Sequence, residues 1–319
     1  MKRFSGYQIL VMILVLSVLS FGQDDEPQLE AFRQQESGTE GGIQQTPVTM
    51  LDRAFLAMYD LNFAGADSDL AQYVAERPND PCGPAAQAAS ILFSIFERNQ
   101  TLQSEFFTSD ASYSKRETIL PDEASLQRFR SALDRAEQLA ARTLARSASD
   151  ENALFALTLV YGLRADFAAL VVHKDLAALR YSEKGNEWAH RLLATSPQFY
   201  DGYVATGIQK YLVSLKPAPL RWLLRLKGIQ GGQDESIREL ELAAGKGRYL
   251  APFARILLAV AHLRRQEREP AVVILAGLHQ RFPHNSLFSG ELAHIQQSVA
   301  AGSMKAEPVF ANSPKEKQE

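Results

Sequence analysis

Six histidines, a single cysteine and a Gly-Lys-Gly triplet are the residues of this chain best suited to chemistry, and their spacing completes no reaction centre. His173, His190, His262, His279, His284 and His294 give no pair on one helical face beside a carboxylate, the arrangement zinc hydrolases use, and Pro283 separates His279 from His284. Gly245-Lys246-Gly247 lacks the glycine a phosphate loop needs five places earlier, where Leu240 stands, and no Ser or Thr follows to ligate magnesium. A helix C-terminus followed by a turn explains the triplet better. Cys82 falls at a helix start, where the dipole favours a thiolate, so a reactive or partner-linked thiol is one reading and a buried packing cysteine the other. No Gly-x-Ser-x-Gly elbow occurs. The chain is therefore expected to be no enzyme and to carry neither metal nor cofactor.

Composition narrows the partners. Lys2 and Arg3 precede an apolar run over residues 9–21 broken only by Ser17 and Ser20, and Ser20-Phe21-Gly22 offers a small-x-small cleavage site. The run spans 13 residues, against about 20 for a membrane-crossing helix, so residues 1–22 read as a signal peptide and the protein as exported to the periplasm or cell envelope of a bacterium. Without Lys2 and Arg3 the chain has 32 basic and 37 acidic residues, a net charge of −5 with His neutral. That balance gives no general attraction for nucleic acid. With one cysteine there is no intramolecular disulfide. The segment 216–227, KPAPLRWLLRLK, reads either as an interfacial helix or as an inserted helix whose Trp222 and leucines cover the core while its Arg and Lys stay wet. The N-terminus and this Trp222 helix are the two places where the chain could meet lipid.

Most of the chain is built to position rather than to react. Residues 23–46 are rich in Gln, Glu, Gly and Asp and read as a disordered linker, with a charged tail over 302–319. Between them, a start near 47–51 and helical spacing over 85–97, 122–147, 151–170, 176–195, 200–215, 220–226, 235–244, 252–265, 270–281 and 287–301 predict an all-α domain spanning 47–301. The stretch 99–121 reads as an irregular insertion.

One pattern recurs at offsets 0, 4, 7 and 12: Ala66, Leu70, Tyr73, Pro78; Ala136, Ala140, Thr143, Ala148; Gly185, Ala189, Leu192, Pro197; Ala271, Leu275, Leu278, Pro283. This is one helical stripe and a stop, and its recurrence implies stacked helical hairpins. The stops lie 70, 49 and 86 residues apart, so insertions interrupt the hairpins. Gly185 inside a helix implies an approach close enough to outweigh a propensity loss of about 0.5–1 kcal/mol. Ala259 is expected in a tight contact of the same kind.

These quartets resemble the second helix and closing Pro of the tetratricopeptide repeat, a two-helix unit of about 34 residues. Ala86, Ala156, Ala205 and Ala259 fill the family's small position on the first helix, and only residues 252–285 form a whole unit without a gap. The C-terminal half, through Tyr203, Gly207, Tyr211 and Gly231-Gly232, also resembles divergent repeat proteins of the eukaryotic inclusion-body-clearance type, with no function carried over.

The tetratricopeptide resemblance implies a right-handed α-solenoid whose first helices line a concave groove. Carried over residue by residue, it puts Asp80, Gln87 and Ser90; Asp150, Leu157 and Tyr161; Phe199, Thr206, Gln209 and Lys210; and Phe253, Ile256, Val260 and Arg264 on that groove. Gln87, Tyr161, Gln209, Lys210, Phe253 and Arg264 are the residues expected to touch a partner. Charge reversal at Lys210 and Arg264 is expected to weaken capture and leave stability unchanged. Family members that grip a chaperone's terminal carboxylate use several Lys, Arg and Asn there, and here only Lys210 and Arg264 qualify. The expected function is an exported, non-enzymatic scaffold holding a protein or peptide. The alternative is an N-terminally membrane-anchored structural or transport-associated envelope subunit.

Overall fold

The computed structural model describes residues 48–99, 119, 121–214 and 232–304. The expected signal peptide over 1–22, the expected linker over 23–46, most of the expected 99–121 insertion, the expected Trp222 helix and the tail from 305 onward lie outside the described residues. Eleven α-helices and no strand occur among the described residues: α1 Met50–Tyr59, α2 Phe63–Glu76, α3 Cys82–Arg98, α4 Glu123–Arg146, α5 Glu151–Asp166, α6 Asp175–Thr195, α7 Gly202–Ser214, α8 Gln233–Lys246, α9 Ala251–Arg264, α10 Arg268–Arg281 and α11 Ser286–Met304. A π-helical turn, Phe167–Val171, extends α5. The class is all-α, as the spacing predicts.

The quartets act where the helices end. Their third members close the last turns: Arg77 N–H donates to the Tyr73 carbonyl, Ser147 to Thr143, Ser196 to Leu192 and Phe282 to Leu278, all at 2.8–2.9 Å. A second bond three residues on, such as Asp80 N–H to Arg77 O at 3.1 Å or Asn285 N–H to Phe282 O at 3.1 Å, turns the chain into the next helix. The four cap residues share one conformation, with φ between −126° and −141° and ψ between 64° and 97°. One short sequence pattern thus produces one loop four times. The helices that follow begin on a side-chain acceptor, Asp80 for Cys82 N–H, Asp150 for Ala153 N–H and Asn285 for Leu287 N–H, which satisfies otherwise orphaned donors.

Each helix packs on its neighbours in chain order, and α1 with α3, α3 with α5 and α5 with α7 also touch. The first helices α1, α3, α5 and α7 therefore lie side by side. Ala66, Ala136 and Ala271 of the second helices and Ala86, Ala156 and Ala259 of the first are 0–1 % exposed. Leu at Ala259 would overpack this seam, and Ala259→Leu should cost about 1–3 kcal/mol in urea unfolding. An unchanged midpoint would contradict the close contact.

Three features of the repeat went beyond the spacing that announced it. Residues 48–78 form a second hairpin without a gap: Ala54, twelve places before Ala66, is fully buried. Its α1–α2 turn matches that of α9–α10. Leu61 and Gln266 both take positive φ, 59° and 62°, and bond back to Met58 and Leu263. A fifth second helix, α8, buries Ser236, Leu240 and Ala243 at the quartet spacing, but Arg248 stands where a Pro or Ala closes the others. Third, Gly185 lies against α5 with room to spare. A Cβ there would sit 3.4 Å from Tyr161 Cβ and 3.5 Å from Thr158 O, ordinary contact, so the site does not demand glycine. A tighter approach is at Gly207, where a Cβ would fall 3.1 Å from Leu240 Cγ.

Candidate functional site

Gly207 decides where the expected groove residues lie. On α7 the small residue facing the second helix is Gly207, against Leu240 and the Ser236 carbonyl, and Ala205 is only half-buried. The register slips by two residues, about 200° around the helix. Lys210 accordingly faces α8. Its Nζ donates to Glu235 at 2.5 Å and Glu239 at 2.7 Å, and its side chain is 14 % exposed. Burial opposes the Lys210 charge, yet the two carboxylates outweigh it and raise the ammonium above its ordinary value. Charge reversal at Lys210 would thus gather three carboxylates and cost about 2–4 kcal/mol, contrary to a stability-neutral change. Gln209 is half-buried and moves with the same slip. Tyr211 takes the inner position instead, half-buried and raised by its burial, with the Arg264 guanidinium near enough to pull it back.

Tyr161 is the second displacement. Its hydroxyl donates to Glu137 Oε1 on α4 at 2.6 Å, Tyr181 of α6 lies 6.4 Å away, and Arg164 covers its ring at 5.3 Å. Burial first, then Glu137, pushes the phenol up to about 12. The ring therefore packs toward α4 and α6. Ser90, Leu157 and Thr206, also expected on the groove, are 1–3 % exposed and sit in the core. Gln87 and Arg264 remain half-buried on first helices, with Ile256 and Val260 beside them in sequence.

The inner side is partly filled by the chain itself. Tyr249, in the loop after α8, stacks on Phe155 at 5.5 Å and meets Phe55 at 5.1 Å, while Phe199 lies 5.0 Å from Phe155 on its other side. Asp201, 2 % exposed, holds that loop: Oδ1 accepts Tyr249 and Leu250 N–H at 2.8 and 2.6 Å and Oδ2 accepts Arg248 N–H at 3.0 Å. Burial raises the Asp201 carboxyl, and these three N–H groups pull it back toward ionisation. Gly247 makes the clasp feasible, since a Cβ there would come within 2.5 Å of Ala243 O and 3.1 Å of Asp201 Oδ1. The triplet Gly245-Lys246-Gly247 is thus a helix end and turn, with Lys246 the last residue of α8.

The first helix then closes on the last hairpin. Asp52, already in a capping box with Thr49, takes Arg248 Nε and Nη2 at 2.7 and 2.8 Å. Tyr59 donates its hydroxyl to Tyr249 O at 3.1 Å and its carbonyl accepts Asn285 Nδ2 at 2.7 Å. Asp60 accepts the His284 backbone N–H at 3.0 Å and lies 2.7 Å from its Nδ1. Tyr59 is half-buried, and desolvation of its hydroxyl raises the phenol above its ordinary value, with the Phe253 backbone beside it. Phe253 is therefore in contact with the region α1 covers.

The residues with chemical potential are placed as follows. Cys82 is 3 % exposed, and its Sγ donates to Asn152 O at 3.3 Å. Burial first, then Asp80, raises the thiol well above its ordinary value, which removes the thiolate reading. His262 and His284 pair with Glu267 and Asp60. No group of three or more metal-ligating side chains occurs among the described residues. Glu151–Val171 is long and apolar enough to cross a membrane, but half of it is buried, with Ala153–Leu157, Val160 and Leu163 in the core.

Asp166 ends α5 just before the π-turn, and burial raises its carboxyl to about 7. The shift is upward, so its contribution is fully present below the unfolded value near 4 and is lost as pH rises toward 7. Asp166→Asn should therefore gain on the order of 3 kcal/mol over wild type at pH 8 relative to pH 4, read by urea unfolding at both values. An equal difference at the two would contradict the burial.

No family description, curated protein or solved structure matches this chain.

Proposed function

We propose that the protein is an exported, non-enzymatic scaffold of tetratricopeptide-like hairpins, a right-handed α-solenoid with insertions, that holds a protein or peptide partner on its first-helix layer. The observation that carries the reading is the repeated loop of common conformation closing α2, α4, α6 and α10, together with the contacts of α1 with α3, α3 with α5 and α5 with α7. Such construction separates the residues that hold the fold from those that recognise a partner. Because Tyr249 and α1 occupy part of the inner side, the proposed surface is the remainder, from Gln87 to the Tyr211–Arg264 end.

The test begins with a partner recovered by crosslinking the protein in its own envelope. Tyr211→Ser with Arg264→Glu should reduce capture at least about tenfold, whereas Arg142→Glu with Arg146→Glu on the exposed end of α4 should leave it intact. The reverse ranking would move the binding surface to the second-helix layer. Export is read separately by intact mass. A mature chain starting at or near Gln23 supports it, and retention of residues 1–22 favours the anchored subunit.

A further inference from the structure

The two ends of the helical array belong to different hydrophobic cores. One core gathers buried side chains of α1 to α6, from Leu51 to Leu192, and the other those of α7 to α11, from Val204 to Ile295. Tyr249 alone of the second half's described residues is buried in the first core. The halves are joined where the chain passes from α6 to α7, and they meet again along α1 through Asp52 with Arg248, Tyr59 with Tyr249 O and Asn285, and Asp60 with His284. These polar contacts lie at a partly wet surface, with the Arg248 and His284 side chains 43 % and 82 % exposed, and ion pairs in that setting hold weakly. The seam is also incompletely packed. A cleft of about 400 Å³ runs between Val48, Asp52 and Leu56 on one side and Arg248, Pro252 and Arg281 on the other, unlike the close-packed interior of either core.

We propose that this seam is a latch that regulates the inner surface. The halves α1–α6 and α7–α11 part along α1, turning about residues 196–201, and parting draws Tyr249 away from Phe55 and Phe155 and uncovers Phe253. The inference rests on the reading of the first-helix side as the binding surface. In the closed form Tyr249 is the chain's own occupant of that surface. Its backbone N–H and those of Arg248 and Leu250 are bound to Asp201 of the second half, so the plug leaves with the half that carries it. A partner that needs the filled space binds only the parted form, and the closed fraction lowers its apparent affinity. Weakening the latch therefore strengthens binding, the opposite of what damage to a binding surface does.

Arg248→Gln with His284→Ala loosens the seam and changes none of the proposed partner-binding residues. A lock is made from Asp60→Cys with His284→Cys bridged by a short bismaleimide, Cys82 being 3 % exposed and shielded from the reagent. Without any partner, spin labels at the exposed positions Gln72 of α2 and Arg268 of α10 should report one narrow distance in the otherwise wild-type chain and a broader, longer distribution in the loosened one. Amide exchange over residues 50–59 and 249–254 should rise about tenfold in the loosened protein, and exchange over 153–163 should not. With the partner recovered by crosslinking, capture should rise about threefold or more in the loosened protein and fall about tenfold in the locked one. An unchanged distance distribution with unchanged exchange would overturn the latch, whatever the partner does. Halves that part without a gain in capture, or a locked protein that captures as wild type does, would overturn its control of the surface. Loss of capture in Tyr211→Ser with Arg264→Glu is the separate mark of the binding surface, so that reading is decided independently.

Discussion

Asp201→Ala should destabilise the protein by about 3–5 kcal/mol in urea unfolding, more than any exposed substitution. The carboxylate is 2 % exposed and accepts three consecutive backbone N–H groups, of Arg248, Tyr249 and Leu250. Removing it leaves three donors unpaired in a dry site, each costing about 1–3 kcal/mol before relaxation. Asp201→Asn keeps the oxygen that can accept from Tyr249 and Leu250 and should lose less, about 1–2 kcal/mol. A cost below about 1 kcal/mol for the alanine variant would show that water replaces the clasp and that the loop is not held by it.

Tyr249→Ala should cost about 3–5 kcal/mol, the range for deleting a buried aromatic, and less than that on top of Asp201→Ala, because the two residues share one clasp. The ring lies between Phe55 of α1 and Phe155 of α5, so its loss opens a cavity and unseats the first helix. Hydrogen exchange over residues 50–59 should rise in this variant, while exchange in α10 and α11 rises less. Faster exchange spread evenly over all helices would mean that Tyr249 supports the fold as a whole rather than the closure of α1.

What could be read in the residues was local and periodic. Ala66-Leu70-Tyr73-Pro78 and its three companions are one helical stripe with a stop, and each ends its helix by the same main-chain bond. The α8 unit was hidden because Ser236 replaces a Gly or Ala and Arg248 replaces the closing Pro. That arginine makes an ion pair with Asp52, a contact 196 positions distant that no periodicity encodes. The candidate site was less legible for a geometric reason. Inner-face residues follow from the stops, and a two-residue slip on α7 carries Lys210 to another side of the helix, while Tyr161 is drawn to Glu137 of α4. Gly207 is the available signal for the slip, since a glycine within a helix that ends in Ser214 marks a close approach to a neighbour. The filling of the interior by Tyr249 depends on Asp201, a buried acid in no recognisable motif.

The claim that the first-helix layer is the working surface is tested most directly by site-specific photocrosslinking in the native envelope. A benzophenone side chain placed in turn at Gln87, Tyr211 and Arg264, and at Arg142 and Arg146 for comparison, reports which face touches another protein. The account predicts one common crosslinked partner from the three first-helix positions and none from α4. A partner captured from Arg142 or Arg146 and from none of the first-helix positions would contradict it.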